Sequence, residues 1–243
     1  MERIDRGPDG VVTGVRLDDG ERVAADAVIC NADVASTYRT LLGIPAPQIV
    51  SHGRYSPSCA LWLAGVRGPA PSGAAHHNLH FGRPWRAAFD TLLRDGRRMP
   101  DPSILVTTAT VTDPTLAPDG GTTLYVLEPV PNLDGAIDWA ADGPAIRADL
   151  ISRVGKLGYP VDDIEVEHFL DPAGWAAQGL ERGTPFALAH RFFQSGPFRT
   201  PNVDRRVPGL VLVGMGTVPG VGIPMVLLSG RLAADRVEAL GVS

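Results

Sequence analysis

Cysteine is scarce in this chain and occurs only at Cys30 and Cys59 among 243 residues. Two thiols are too few for a disulfide scaffold, which favours a reduced, cytosolic protein. A metal-ligand set is lacking as well, because His76, His77 and His80 have no carboxylate or cysteine close by. Adjacent strand residues point to opposite faces, so at most His76 and His80 could converge. The sequence therefore predicts no metal site.

An excess of positive charge is also missing. The formal net charge is −5 and the isoelectric point is near 5.6, and no basic cluster offsets this acidity. That balance argues against a protein that binds nucleic acid. The first residues are charged and carry no secretory signal. The uncharged stretch 207–230 is long enough to cross a bilayer, but prolines and glycines in its middle would break a spanning helix.

Several catalytic motifs are absent. The chain has no Gly-x-Ser-x-Gly elbow for a nucleophilic serine and no Gly-Lys-Ser/Thr phosphate loop. Gly214, Gly216 and Gly220 fall one residue away from the Gly-x-Gly-x-x-Gly spacing of dinucleotide-binding turns. These absences exclude the common hydrolase and phosphate-binding fingerprints.

The stretch 208–230 is the most informative part of the sequence. It begins with an apolar run at 210–213 that predicts a buried strand, continues through alternating glycines, and ends in a helix with Pro224 in its first turn. A strand, a glycine turn and a helix bring bare N–H groups to an anionic or electron-rich ligand. Tight packing of a buried strand–helix unit is the alternative interpretation.

The two ends of the chain and its middle differ in pattern. Residues 10–23 predict a hairpin that turns at Asp19-Gly20, followed by a buried strand at 27–30 and a capped helix at 34–42. The middle predicts a mostly antiparallel sheet. Its expected strands are 58–66, 76–81, 104–111, 122–130 and 164–170, its expected helices are 85–94, 145–157 and 171–179, and its loop is 184–207.

Taken together, these motifs resemble the C-terminal half of bacterial and fungal phytoene desaturases, within the amine-oxidase-like flavoprotein superfamily. Each motif is soft alone, but their order from one end of the chain to the other is specific. The matching stretches are Gly14-Val-Arg-Leu-Asp-Asp-Gly, Ala25-Asp-Ala-Val-Ile-Cys-Asn-Ala-Asp, His76-His77, Asp101-Pro-Ser, Thr112-Asp-Pro, Ala117-Pro-Asp-Gly, Tyr125-Val-Leu-Glu-Pro-Val-Pro-Asn, Asp138-Trp139, Trp175-Ala-Ala-Gln-Gly, Gly183-Thr-Pro-Phe-Ala-Leu-Ala-His190, Gln194-Ser-Gly-Pro-Phe-Arg199 and 213–230.

The resemblance implies a fold of α/β plus α+β class. Residues 1–44 and 201–243 would be segments of a Rossmann-like FAD domain that lacks its N-terminal βαβ unit. Residues 45–200 would be an antiparallel-sheet substrate domain. The missing N-terminal half would make this chain a fragment, or a piece completed by a complementary subunit.

The resemblance also implies an activity and a cofactor site. The activity is FAD-dependent desaturation of a long apolar polyisoprenoid such as phytoene, in carotenoid biosynthesis, with peripheral membrane contact expected from the substrate's insolubility. Met215 stands where a smaller residue is usual and is expected to crowd the flavin. The expected cofactor-binding residues are Gly214, Met215, Gly216, Thr217, Pro219, Gly220, Gly222, Ile223, Pro224 and Met225.

Two points stay open at the level of sequence. No catalytic acid or base is assigned, because Asp113, His190 and Arg199 are polar residues of a kind that also serve as turn caps and ion-pair partners. The alternatives to a desaturase are a related flavoenzyme (a carotenoid isomerase, an oxidase or ketolase, or a retinoid saturase) and a non-catalytic polyisoprenoid-binding or partner subunit.

Overall fold

The structure is a computed structural model that describes residues 1–83 and 85–241. The chain forms two compact units. The first comprises Met1–Ser56, Gly179–Glu181 and the chain from Phe186 onward, and the second comprises Pro57–Gln178 and Arg182–Pro185. Residues 45–56 and 186–200 thus lie in the first unit, whereas the sequence patterns grouped them with the middle segment. The last two residues of the predicted segment 201–243 lie outside the described residues.

The first unit begins with a three-stranded antiparallel sheet. Its strands are β1 (Arg3–Arg6), β2 (Val12–Arg16) and β3 (Arg22–Ala24), in that order. The predicted hairpin is confirmed as β2 and β3. Strand β1 was not predicted, because its residues alternate between one apolar side chain, Ile4, and charged ones.

A two-stranded parallel sheet follows, formed by β4 (Val28–Cys30) and β10 (Leu210–Leu212). Both strands were predicted from their apolar runs. Leu210 pairs with Val28 and Leu212 with Cys30, and these four side chains belong to the core of the first unit. The pairing of β4 with β10 therefore brings together two segments from opposite ends of the sequence.

Three helical segments complete the first unit. After β4, the side chain of Asp33 accepts hydrogen bonds from the amides of Ala35 and Ser36, as an N-cap does. The predicted helix at 34–42 is confirmed as a short α1 (Val34–Ser36) that continues as a π-helical turn over Thr37–Leu41. Helix α2 (Gln48–His52) was not predicted, and α6 (Ile223–Ala239) was.

The second unit is a five-stranded antiparallel sheet, as the middle of the sequence predicts. The strands are β5 (Ser58–Arg67), β6 (His77–His80), β7 (Ile104–Thr107), β8 (Gly121–Val130) and β9 (Ile164–Leu170), in the order β6-β7-β8-β5-β9. The predicted strand at 104–111 is too long, because the chain turns into a 3-10 helix at Ala109–Val111. A second 3-10 turn, Pro114–Leu116, lies before β8.

Helices α3 (Trp85–Leu93), α4 (Trp139–Lys156) and α5 (Pro172–Ala177) belong to the same unit. Helix α4 covers one face of the sheet, where its Leu150 and Val154 join Trp62 and Val126 in a fully buried core. It begins before the predicted residue 145, because the side chain of Asp138 caps it. In the described part of the chain, no helix is long and apolar enough to cross a membrane.

A buried ion pair ties this sheet to the loop after α3. The Arg98 guanidinium donates two hydrogen bonds, of 2.7 and 2.8 Å, to the carboxylate of Glu128, whose side chain is completely buried. Asp149 on α4 lies 2.7 Å from the same guanidinium. Burial raises the pKa of Glu128, and the charge of Arg98 opposes that shift. The carboxylate therefore depends on Arg98 for its charge compensation.

Replacing Arg98 with Met should destabilise the second unit by about 3–5 kcal/mol, since it leaves Glu128 as an uncompensated buried charge. Denaturant unfolding followed by tryptophan fluorescence would measure the loss, since all four tryptophans, at positions 62, 85, 139 and 175, lie in the second unit. The matched control is Arg94→Met, which removes an exposed pair with Asp90 and should cost about 0.5 kcal/mol or less. An equal loss of unfolding free energy in the two variants would contradict the role of Arg98 in compensating the charge of Glu128.

Candidate functional site

The chain between β10 and α6 makes a compact turn that we call the glycine turn, residues 213–222. Three of its glycines have positive φ: +101° at Gly214, +139° at Gly220 and +109° at Gly222. Side chains other than glycine are strained in this region of backbone space. The alternating glycines that the sequence analysis singled out are thus required by the path of the backbone itself.

Gly214 and Gly216 also have neighbours that leave no room for a side chain. A Cβ atom on Gly214 would lie 2.4 Å from Oδ1 of Asn31, and one on Gly216 would lie 2.5 Å from Cγ2 of Val34. The space that these glycines leave is therefore filled by the segment after β4. Their expected role in admitting a flavin stays a prediction.

Gly222 differs from these glycines. A Cβ atom there would meet nothing within 4 Å, and Gly222 is the N-cap of α6 without any side chain that caps the helix. Ile223, the first helical residue, is 76% exposed. The amino-terminal end of a 17-residue helix therefore opens to the outside of the unit, where its dipole favours negative charge.

The amides of the glycine turn and of the first residues of α6 divide into two groups. That of Gly214 donates to Oγ of buried Ser229 at 3.1 Å, and those of Val213, Thr217 and Val218 donate to the carbonyls of Cys30, Gly214 and Thr200 at 3.0, 3.4 and 3.0 Å. Within the described residues, the other group donates no hydrogen bond, and so offers donors to a ligand. Its members are the amides of Met215, Gly216, Gly220, Val221, Gly222, Ile223 and Met225.

The carbonyl groups of the turn are held by buried polar side chains. The amide of Asn202 donates to the carbonyls of Leu212 and Val218, at 3.0 and 3.4 Å. The hydroxyl of Thr217, also buried, donates to the carbonyl of Thr200 at 2.8 Å. These bonds hold the turn in place, and they do not use the unbonded amides named above.

Arg199 makes the largest contribution to this support. Its guanidinium donates to the carbonyls of Met215 at 2.6 Å, Thr217 at 3.1 Å and Leu188 at 3.2 Å, with a longer bond of 3.5 Å to that of Gln194. Only 2% of Arg199 is exposed, and it forms no salt bridge within the described residues. Burial lowers the pKa of Arg199, as expected for a cation with no carboxylate beside it.

His190 lies beside the same turn. A Cβ atom on Gly220 would be 2.7 Å from Nε2 of His190 and 3.7 Å from Nε of Arg199. Loss of hydration lowers the pKa of His190, and the charge of Arg199 lowers it further. The neutral imidazole is therefore favoured, and Arg199 is the only group close to Gly220 that we assign a positive charge.

The remaining polar candidates have structural partners in the second unit. Asp113 caps the turn at Pro114–Leu116 by accepting from the amide and hydroxyl of Thr115, and these bonds lower the pKa of its carboxyl. Nδ1 of His76 lies 2.8 Å from the hydroxyl of Thr112. These contacts account for both residues without a ligand.

The other two histidines of the triplet also contact hydroxyl groups. Nδ1 of His77 lies 2.8 Å from the hydroxyl of Thr107, and Nε2 of His80 lies 3.1 Å from that of Tyr159. His76 and His80, the only two of the three that strand geometry could bring together, each turn to a different hydroxyl. In the described part of the chain, no group of three His, Cys, Asp or Glu side chains could hold a metal ion.

The sheet of the second unit has an apolar groove on the face opposite α4. Its volume is about 380 Å³, and Leu63, Tyr125 and Val166 are among the residues that line it. Leu63 pairs with Tyr125, and Val166, which is 67% exposed, pairs with Gly65. The alternation of side chains along the predicted strands is the sequence signal from which this surface could have been found.

A second apolar surface lies in the first unit. The rings of Phe192, Phe193 and Phe198 pack against one another with centroids 5.1–6.0 Å apart, and all three side chains are largely exposed. Gln194, which lies between them in sequence, is buried and bonds to the carbonyl groups of Arg54 and Ala189. The polar residue anchors the segment while the phenylalanines stay outside.

A family model described as flavin containing amine oxidoreductase matches residues 1–238. Among curated proteins, the chain is 41% identical to a phytoene dehydrogenase of Streptomyces griseus over 98% of its length. It is 42% identical over 96% to a zeta-carotene-forming phytoene desaturase of Myxococcus xanthus. It spans 47% of each of these relatives.

Among solved structures, the chain is similar to an oxidoreductase from Methanosarcina mazei. The TM-score is 0.58 at 16% identity, over 96% of this chain and 48% of the other. This likeness concerns the fold alone; the family match above gives that fold as the amine-oxidase type, with antiparallel sheets.

Proposed function

The chain belongs to the flavin-containing amine oxidoreductase family, and we propose that it forms the flavin-ring side of the FAD site in a carotenoid desaturase. The resemblance of the sequence to phytoene desaturases is confirmed by the two relatives above. The chain spans about half the length of these relatives, so the activity is proposed for the complete protein to which such a half contributes.

The observation that carries the proposal is the set of free amides at the start of α6. The open space at Gly222 and the exposed amino-terminal end of the helix suit an electron-rich ligand edge. The pyrimidine edge of a flavin gains negative charge on reduction, and the amides of Gly220 to Ile223 would hold it. The residues present therefore fit the cofactor.

We propose that the rest of the FAD domain completes the parallel sheet of β4 and β10. Parallel strands are ordinarily covered on both faces, yet Ile29 in β4 is 53% exposed. No described strand pairs with the second edge of β4. Further parallel strands there would restore a Rossmann-like sheet, and the helices that connect them would cover Ile29. The missing N-terminal half or a complementary subunit would supply both.

The substrate would bind to the groove on the open sheet face of the second unit. A polyisoprenoid offers no hydrogen-bonding groups, so an apolar surface must hold it by exclusion of water. Leu63, Tyr125 and Val166 provide such a surface. FAD, when bound, supplies the hydride acceptor that removal of two hydrogens requires and that no side chain can replace.

Titration with FAD tests whether the cofactor site is divided between this chain and a second half. The isolated chain should bind FAD weakly, and mixing it with the N-terminal half of a relative should restore stoichiometric binding. Ile223→Asp should weaken the binding of reduced FAD roughly tenfold, since its negatively charged ring and the carboxylate would be like charges a few ångströms apart, which costs about 1 kcal/mol or more at partly exposed sites.

The matched control is Ile223→Asn, which has a similar size but no charge. Tight stoichiometric binding of FAD by the isolated chain would refute the need for a second half. In the completed protein, new conjugated absorbance from phytoene supports a desaturase, whereas an unchanged chromophore length would indicate an isomerase.

Val166→Asp tests the substrate surface. A carboxylate in the groove should raise the KM for phytoene at least about tenfold, since a charge facing hydrocarbon costs more than 1.4 kcal/mol. The thermal midpoint should stay unchanged because Val166 is exposed. Glu165→Gln, at the preceding residue of β9, which does not line the groove, is the control, and equal KM values for both variants would place the substrate elsewhere.

We also propose peripheral contact with a membrane through α3. The rings of Phe81, Trp85 and Phe89 stack at centroid distances of 5.2 and 4.8 Å, and Trp85 is 50% exposed. The same segment carries four exposed arginines, Arg83, Arg86, Arg94 and Arg97, against two exposed aspartates, Asp90 and Asp95, of which Asp90 pairs with Arg94. Aromatic residues flanked by arginine suit the interface of an anionic bilayer.

Sedimentation with vesicles of phosphatidylglycerol and phosphatidylcholine tests this contact. The wild-type chain should pellet with the vesicles, and Trp85→Asp should lower its partition roughly tenfold, because it removes an apolar anchor and adds a repelled charge. Leu116→Asp, at an exposed apolar position of the same unit, should have no effect. A wild-type chain that stays in the supernatant would refute the proposal.

A further inference from the structure

We propose that Arg199 is an electrostatic positioning residue that acts through the glycine turn to favour the reduced, negatively charged flavin. This inference rests on the proposed function. Arg199 does not touch the ligand space; it lies behind the turn and binds the carbonyl groups of Met215 and Thr217.

The burial of Arg199 is the first argument. A buried cation without a carboxylate is destabilising unless its hydrogen bonds and its surroundings compensate for lost hydration. Four backbone carbonyl groups bond to Arg199, but they are dipoles and leave its full charge in place. The Tyr55 phenol only partly opposes the shift that burial imposes on the pKa of Arg199. The positive potential therefore extends to the turn.

The direction of the field is the second argument. The guanidinium bonds to the carbonyl groups of Met215 and Thr217, and its Nε lies 3.7 Å from a Cβ atom placed on Gly220, where the free amides begin. The positive end of α6 follows directly after these amides. The charge of Arg199 and the helix dipole thus both favour negative charge beside Gly220 to Ile223.

The third argument is that a side chain that only holds the turn in place does not need a charge. Asn202 binds two carbonyl groups of the same region as a neutral side chain. Arg199 and Asn202 therefore provide a natural comparison. Loss of either should loosen the turn, but only loss of Arg199 removes a charge.

The test compares Arg199→Gln, Arg199→Lys and Asn202→Ala in the FAD-loaded protein completed by its N-terminal half. Arg199→Gln keeps N–H donors without a charge, and Arg199→Lys keeps the charge with fewer donors. We expect Arg199→Gln to weaken binding of reduced FAD about tenfold more than binding of oxidised FAD. For a two-electron couple this corresponds to a midpoint potential lower by about 30 mV.

Arg199→Lys and Asn202→Ala should retain the wild-type potential. The proposal is overturned if Arg199→Gln leaves the potential unchanged, or if all three variants lower it equally. If Arg199→Gln does not fold, Arg199→Met replaces it in the test, because the unbranched methionine side chain occupies the space of the arginine side chain without a charge.

A second readout needs no flavin. In the isolated chain, an NMR titration should show a higher pKa for His190 in Arg199→Gln than in wild type or Arg199→Lys, because the charge that lowers it is gone. An unchanged His190 titration would show that the charge does not reach Gly220, and would refute the inference. Failure of the completed wild-type protein to bind FAD would instead refute the proposed function, so the two failures are separable.

Discussion

The glycine turn depends on one constraint: buried side chains bond the carbonyl groups of Met215, Thr217 and Val218, while the amides from Gly220 to Ile223 donate no hydrogen bond within the described residues. Arg199, Asn202 and Thr217 satisfy the carbonyl side or anchor it to the neighbouring segment. A turn whose carbonyl groups and amides were all bonded within the protein would have no donor left for a ligand. A turn in which neither kind of group was bonded would be unstable. The asymmetry makes a rigid donor surface from backbone alone, which is suited to a cofactor whose charge changes during the reaction.

Much of this arrangement follows from local sequence patterns. The apolar run at 210–213, the glycines after it and Pro224 predict strand, turn and helix, and all three are present as β10, the glycine turn and α6. The five-stranded sheet follows from alternation in the middle of the chain. Strand β1 escaped prediction because its charged residues resemble a loop, although Asp5 binds Arg3, Arg16 and Arg22 there.

The partners of the turn could not be predicted from spacing. A glycine pattern indicates that side chains are absent, but not whether a ligand or the protein fills the space. At Gly214 and Gly216 the space is taken by Asn31 and Val34, which precede the turn by some 180 residues. Arg199 likewise bonds to carbonyl groups, which carry no sequence signature. Long-range backbone contacts of this kind appear only once the chain is folded.

The whole second unit lies in sequence between β4 and β10, two strands that pair with each other in the first unit. The entropic cost of closing a loop rises only by about 0.6 kcal/mol for each doubling of its length. The stability of the first unit therefore depends little on the length of the chain inserted between its two paired strands.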